Sequence, residues 1–358
     1  MGRRVSTSVV KASSARGNKK KNASCHVIGI IFNLKTKGTS ADSTEEYDEI
    51  ETIDALQAEI ERLGFRVMRV EQTGDWIGRL KKEKVEFVVN IAEGRGVTRN
   101  RESQVPAMLE YLGIPYSGSD ALSLGVTLDK RLTTLLLKAG NIPVPEQYMV
   151  CQTQEIAGLQ ELFKQPRTLI VKPRWEGSSK GIFLNNVVSD YASLRGRVTD
   201  LLAAYKQPVL VEEFLEGDEI TAAVCGNGAN LRLLGMMRIS NRDPKEKRFI
   251  YSIETKRDWQ EKVKYEGQEA ITALVRQRVQ DSAFRAFRAL ELRDISRIDF
   301  RLAADGTPKV IDINPLPGLS PHYSDLPILF RLQGDTYADL VRMILAEALQ
   351  RNGLDWLD

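Results

Sequence analysis

Two acidic residues late in the chain, Asp299 and Asp312, lie in strand-like segments joined by a turn signal. In residues 296–302 (SRIDFRL), Arg297 and Asp299 alternate with Ile298 and Phe300, so both polar side chains face the same way. In residues 309–314 (KVIDIN), Asp312 and Asn314 alternate likewise with Ile311 and Ile313. Between them, Asp305-Gly306 is a strong two-residue hairpin signal. A hairpin centred on that pair sets Asp299 opposite Asp312 and Arg297 opposite Asn314. Counted from the turn, 299–312 is a non-hydrogen-bonded pair, with Cα atoms about 4.5 Å apart. Two carboxylates that close repel unless a cation lies between them. Oxygen donors with an amide oxygen beside them suit Mg²⁺ better than a softer metal. A solvated hairpin with incidental acids is the alternative, and the apolar opposite face argues against it.

A second constellation is the segment 170–181, IVKPRWEGSSKG. A buried strand ends in Lys172 and runs into a turn rich in glycine and serine. Backbone N–H groups there can cradle phosphate oxygens while the lysine supplies positive charge. The spacing Gly177-x-Ser179-x-Gly181 also matches a hydrolase nucleophile elbow with His322 downstream. That motif needs a helix after the turn, whereas IFLNNV reads as a strand, so a serine hydrolase is disfavoured. A third segment, VLVEEF at 209–214 followed by LEGDE, leads apolar residues into acids at a strand end, a suitable edge for a nucleotide.

The elements that must position these groups alternate between strand and helix. Residues 26–33 (HVIGIIFN) read as a buried strand, and residues 44–63 carry apolar positions at helical spacing with Gly64 as a stop. Strands at 65–70 and 85–91 and helices at 76–82 and 104–112 follow. Repeated strand–helix–strand units imply a doubly wound parallel sheet covered on both faces. Further on come a helix from Leu128 to Gly140, a helix near 155–164, strands at 168–172, 181–184 and 209–213, and a long helix near 268–290. Residues 241–264 lack periodicity and read as a mobile loop.

The composition narrows the class. With 51 basic and 48 acidic residues, the net charge of +3 is misleading, because residues 1–25 hold seven bases and no acid. The remainder is mildly acidic, which disfavours nucleic acid as the main partner. The tail itself reads as disordered; an organelle transit peptide or an N-myristoylation signal at Gly2 fits its composition without independent support. No apolar run is long enough to span a membrane. Three dispersed cysteines and two histidines build neither a disulfide framework nor a histidine-rich metal site, which favours a reducing, cytoplasmic setting.

Taken together, these residues resemble the ATP-grasp superfamily and, within it, the D-alanine–D-alanine ligases. The resemblance rests on five ordered segments: GIPYSGSDALSLGVTLDK at 113–130, IVKPRWEGSSKG at 170–181, LVEEFLEGDE at 210–219, RID at 297–299 and DINPLPGLSPH at 312–322. It implies an α/β architecture with α+β lobes. After the tail (1–25) come an N-terminal doubly wound domain (26–119), a central lobe (120–211) and a C-terminal lobe (212–350) carrying the metal and catalytic residues. ATP lies between two sheets, in keeping with the absence of a P-loop pattern.

By that resemblance Lys130 and Lys172 contact ATP phosphates, and Gly177, Ser178 and Ser179 form a small loop closing over them, Ser178 also among the catalytic residues. Glu212 and Leu215 lie at the adenine and Glu219 at the ribose, with Glu176 and Glu213 in the same nucleotide set. Lys256 reaches the phosphates from the large loop. Asp299, Asp312 and Asn314 hold Mg²⁺, or Mn²⁺ in its place, and Arg297 stabilises the transferring phosphoryl group. Gly318 lies at the substrate end, where Ser320, Tyr323 or Ser324 faces the substrate carboxylate. The implied activity is ATP-dependent amide formation through an acyl phosphate, with two D-alanines as default substrates. The alternatives are a ligase for another amino acid or a secondary-metabolite carboxylate, and a nucleotide-binding protein without ligase activity. Expected partners are small amino-acid-like molecules, with a homodimer left open. The region after the first strand, FNLKTKGTSADSTEEYDEI, does not match the segment with which such ligases hold their first amino acid.

Overall fold

The computed structural model describes residues 26–36, 44–243 and 249–357. The basic tail, with the targeting signals read in it, lies outside those residues.

Three sheets carry the fold. In the first, β1 (Val27–Phe32) is central between β2 (Arg66–Glu71) and β3 (Phe87–Asn90), and both pairings are parallel. Helices α1 (Ile50–Arg62), α2 (Trp76–Lys82) and α3 (Gln104–Leu112) connect and cover it. Every residue of β1 is buried, which is why its sequence is a continuous apolar run rather than an alternation. Helix α1 buries Ile53, Leu56 and Ile60 at three- and four-residue steps. It starts at Ile50, six residues later than its apolar spacing suggests. The chain before it pairs instead with the end of β1: Asp48 N–H donates to the Asn33 carbonyl at 3.0 Å, and Lys35 N–H to the Asp48 carbonyl at 2.7 Å. That detour carries Glu45, Glu46 and Asp48 along the C-terminal end of the sheet.

Helices α4 (Ala121–Leu128) and α5 (Lys130–Ala139) lead into an antiparallel sheet of β4 (Gln147–Val150), β5 (Leu169–Pro173), β6 (Val187–Val188) and β7 (Val209–Glu213), with α6 (Tyr191–Tyr205) packed on it. The strand expected at 181–184 is absent. Asn186 folds residues 182–186 into a turn by donating to the carbonyls of Val171 and Gly181, and only Val187 and Val188 pair with β5.

The third sheet is antiparallel and holds β8 (Glu219–Gly226), β9 (Arg232–Asn241), β10 (Val263–Glu266), β11 (Asp294–Leu302) and β12 (Pro308–Asn314). Short helices α7 (Ile253–Arg257) and α8 (Trp259–Lys262) precede β10, so much of the stretch read as loop is folded; each has too few residues to display a period. Helix α9 (Ala273–Ala289) covers one face, and α10 (Asp325–Gln333) and α11 (Tyr337–Arg351) cover the other. Helix α11 also packs on α1, so one apolar core joins the first and third sheets.

The hairpin of β11 and β12 has the expected outer register, with Asp299 opposite Asp312 and Arg297 opposite Asn314. Its turn differs. Ala303 N–H donates to the Thr307 carbonyl, and Gly306 closes the turn at φ 76°. The inner strands are therefore offset by one residue (Phe300 faces Val310), and an irregularity beside Asp299 restores the outer register.

Candidate active site

Loops and strand ends from all three sheets surround one cavity of about 530 Å³. Its walls include nearly all the residues singled out from the sequence: Lys130, Lys172, Glu176, Gly177, Ser178, Ser179, Glu212, Glu213, Leu215, Glu219, Lys256, Arg297, Asp299, Asp312, Asn314, Gly318, Tyr323 and Ser324. Ser320 is absent from the wall. It is buried, its N–H donating to Ser324 Oγ at 3.0 Å, which leaves Tyr323 and Ser324 facing the cavity.

On the hairpin, Asp299 is buried and fully engaged. Arg297 donates to it through Nε (3.1 and 3.2 Å) and Nη2 (2.9 Å), Thr221 Oγ1 donates at 2.9 Å, and Asn314 Nδ2 at 3.0 Å. Arg297 also meets Asp325 at 3.1 Å. Burial alone would lower the guanidinium pKa, but these two carboxylates outweigh it and push the pKa up. Asp299 moves up as well, because burial and then Asp312 outweigh Arg297. Asp312 is freer: among the described residues its one ion pair is with Lys130 Nζ at 3.5 Å. The donor set of two carboxylates and a side-chain amide on one face suits a hard divalent cation, so these residues fit Mg²⁺.

Lys172, on β5, is buried against Glu212 on the neighbouring strand at 2.7 Å, and Gln147 donates to the same carboxylate at 2.6 Å. Lys130, the first residue of α5, donates to the Glu176 carbonyl at 2.7 Å. Glu213 pairs with Lys309 at 2.7 Å. Glu219 is buried, and burial pushes its carboxyl up to about 7 against the pull of Arg301. Lys256 stands over the Tyr251 ring at 4.7 Å, and burial lowers its pKa although Asp325, Asp299 and Glu219 favour its charge.

In the glycine–serine turn, Ser178 and Ser179 are both left-handed (φ 48° and 60°), a conformation costing non-glycine residues about 1–2 kcal/mol each. Two tethers hold it. Ser179 Oγ donates to the Tyr251 carbonyl at 2.9 Å, joining the small loop to the large one, and Gly177 N–H donates to Glu46. Glu46 also binds Arg101 at 2.6 Å, and Arg101 reaches the Trp175 carbonyl at 2.8 Å and Glu176 at 3.6 Å.

Residues not singled out from the sequence share the wall: Glu46, Asp48, Glu93, Glu102, Tyr251 and Asp325. One signal for Glu93 was available, since it follows a buried parallel strand, and ligands of such sheets gather beyond the carboxyl ends of the strands. Asp325 and Glu46 carry none; folding brings them in.

The family model for the D-ala D-ala ligase C-terminus matches residues 136–346, more than half of the chain. The chain belongs to the D-alanine–D-alanine ligase family. A D-alanine–D-alanine ligase of Cupriavidus pinatubonensis is 31% identical over 251 residues, 69% of this chain and 72% of the relative. An uncharacterized protein of Sinorhizobium fredii, y4sG, is 31% identical over 272 residues, 74% and 75% of the two chains. The fold matches the crystal structure of a D-alanine–D-alanine ligase from Bacillus anthracis with a TM-score of 0.72 at 24% identity, covering 92% and 99% of the chains. The same enzyme complexed with ATP matches with a TM-score of 0.71. The ATP-grasp architecture is thereby established, and with the relationship an ATP-binding, ADP-forming carboxylate–amine ligase. No helix among the described residues is long and apolar enough to cross a membrane.

Proposed function

We propose that this ligase joins two amino acids by phosphorylating the carboxylate of one and letting the amine of the other displace phosphate. The observation that carries this is convergence: lysines from α5 and β5, the strained turn and the Asp299–Asp312 hairpin line one cavity.

A carboxylate resists attack until its oxygen becomes a leaving group, and the chain's residues fit that activation. Lys130 and Lys172 would meet the phosphate oxygens, while Gly177, Ser178 and Ser179 close over them with backbone N–H groups. Arg297, fixed between Asp299 and Asp325, places a preorganised positive charge where the transferring group gathers negative charge. Asp299, Asp312 and Asn314 would hold Mg²⁺, which supplies charge neutralisation to the phosphates. Glu212 and Leu215 would border the adenine, with Glu176, Glu213 and Glu219 in the same wall. Lys256, beside the Tyr251 loop tied to Ser179, would close the site and keep water from the activated acid. Gly318, Tyr323 and Ser324 would face the amine-side substrate.

Two D-alanines are the default pair by relationship. A ligase for a different amino acid is favoured by one feature: the wall carboxylates Asp48, Glu93 and Glu102 have no ion pair among the described residues. The test is phosphate release with ATP and Mg²⁺ across single amino acids and pairs of both hands. Release that requires a particular amino acid supports the reading. ATP binding with no release in any combination sinks it.

A further inference from the structure

The end of the cavity formed by the first sheet is acidic beyond what its bases compensate. Among the described residues the nearby cations form their ion pairs with other acids, although Arg101 also favours the charge of Glu93 and Glu102. Lys35 lies 3.4 Å from Glu45 and 3.7 Å from Glu49, and Arg257 also meets Glu45. Arg101 holds Glu46 and Glu176, and Lys180 meets Glu176 at 2.8 Å. Lys130 serves the Glu176 carbonyl and Asp312. Three wall carboxylates remain. Asp48, Glu93 and Glu102 make no side-chain hydrogen bond and no ion pair within 4.0 Å among the described residues. Glu102 is only 7% exposed.

A buried carboxyl group without a partner is costly, so the fold must impose this arrangement. Glu93 leaves β3, and Gly94 follows at φ 83°, so close to the chain that a Cβ would lie 2.0 Å from the Arg101 carbonyl. That approach locks Glu93 beside the turn bearing Glu102. Asp48 is held by its backbone pairing with the end of β1. We propose that this end of the cavity selects a diamino acid as the carboxylate substrate, its ammonium groups held by Glu93, Glu102 and Asp48. One ammonium answers part of the deficit; a second matches the three acids better, because charge-assisted hydrogen bonds are the strong ones. Burial raises all three acids, Asp48 to about 7 and Glu102 to about 8, and Glu102 and Asp48 add to the rise at Glu93.

The inference rests on the ligase reading for the substrate's role, but not for its binding. Calorimetry on the full chain with saturating ATP and Mg²⁺ would compare ornithine and lysine with their neutral analogues norvaline and norleucine, both hands of each. The expected result is a diamino acid at least about tenfold tighter than its analogue, the scale of one charged hydrogen bond. Glu93→Gln and Glu102→Gln should each erase most of that gap while leaving ATP affinity unchanged. If one variant fails to fold, the other carries the comparison. Neutral analogues binding as tightly, no probe binding, or a gap that survives the substitutions overturns the proposal. A diamino preference without phosphate release overturns the ligase reading alone.

Discussion

At the end of the cavity proposed to take the nucleotide, Lys172 pairs with Glu212, Lys309 with Glu213, and Arg297 with both Asp299 and Asp325. At the opposite end, Asp48, Glu93 and Glu102 line the wall with no ion pair among the described residues. The first end is assembled in advance, its charged groups aimed and compensated by neighbouring strands. The second holds carboxyls that burial keeps protonated toward neutral pH and that an incoming cation would favour in their charged form. ATP handling calls for one fixed geometry, while the amino-acid end is free to vary with the substrate.

Four experiments probe that contrast, in order of expected effect. Lys172→Ala should lower kcat/KM for ATP by about 10²–10³, the usual cost of losing a preorganised charge contact. Steady-state kinetics at saturating amino acid would check it, and a loss under about tenfold would mean that Lys172 serves only to neutralise Glu212. Asp312→Asn should raise the Mg²⁺ concentration for half-maximal activity about tenfold, the scale of one ligand contact, with little change in melting temperature. Asp299→Asn should shift both, because Asp299 also anchors Arg297, Thr221 and Asn314. Equal metal dependence in wild type and Asp312→Asn would remove Asp312 from the metal site.

The third experiment concerns pH. Asp48, Glu102 and Glu219 have folded pKa values of about 7, 8 and 7, against usual values of 3.8, 4.5 and 4.5. Between these limits the unfolded chain gives up protons that the folded chain keeps, so stability falls as pH rises through the window and levels off above it. The ligand-free protein should melt at a higher temperature at pH 5.5 than at pH 8.5. Glu102→Gln should flatten that slope, and an unchanged slope would mean that Glu102 is already compensated. The smallest effect is expected for Ser179→Ala, which removes the hydrogen bond to the Tyr251 carbonyl. A rise of about two- to tenfold in KM for ATP corresponds to one such bond; no rise would show that the two loops close independently.

Much of the fold was legible because its elements advertise themselves locally. Helix α2 spans Trp76–Lys82 and helix α3 spans Gln104–Leu112, as read from the sequence, and α3 stops at Gly113 as that glycine indicates. The strand expected at 181–184 failed because Asn186 captures backbone carbonyls that a strand would have used. The turn of the β11–β12 hairpin was misread by one residue, yet the Asp299–Asp312 pair survived because a second irregularity cancels the first. At the site, the residues proposed to handle phosphate lie in short segments with recognisable chemistry. Glu46 and Arg101 do not, since their partners are 55 or more positions away, and Asp325 meets Arg297 only because α10 folds back onto β11.

The order of residues along the chain determined the strand facing of Arg297 and Asp299, the lysine before a glycine–serine turn, and the alternation that builds a parallel sheet. These follow from period-two geometry and from backbone conformations that few residues favour. Tertiary structure alone decided which acids find a base. Ion pairing depends on distances of a few ångströms between residues far apart in the chain, and on burial that removes water as the alternative partner. That is why Glu212 ends in an ion pair with Lys172, while Glu102 has none among the described residues.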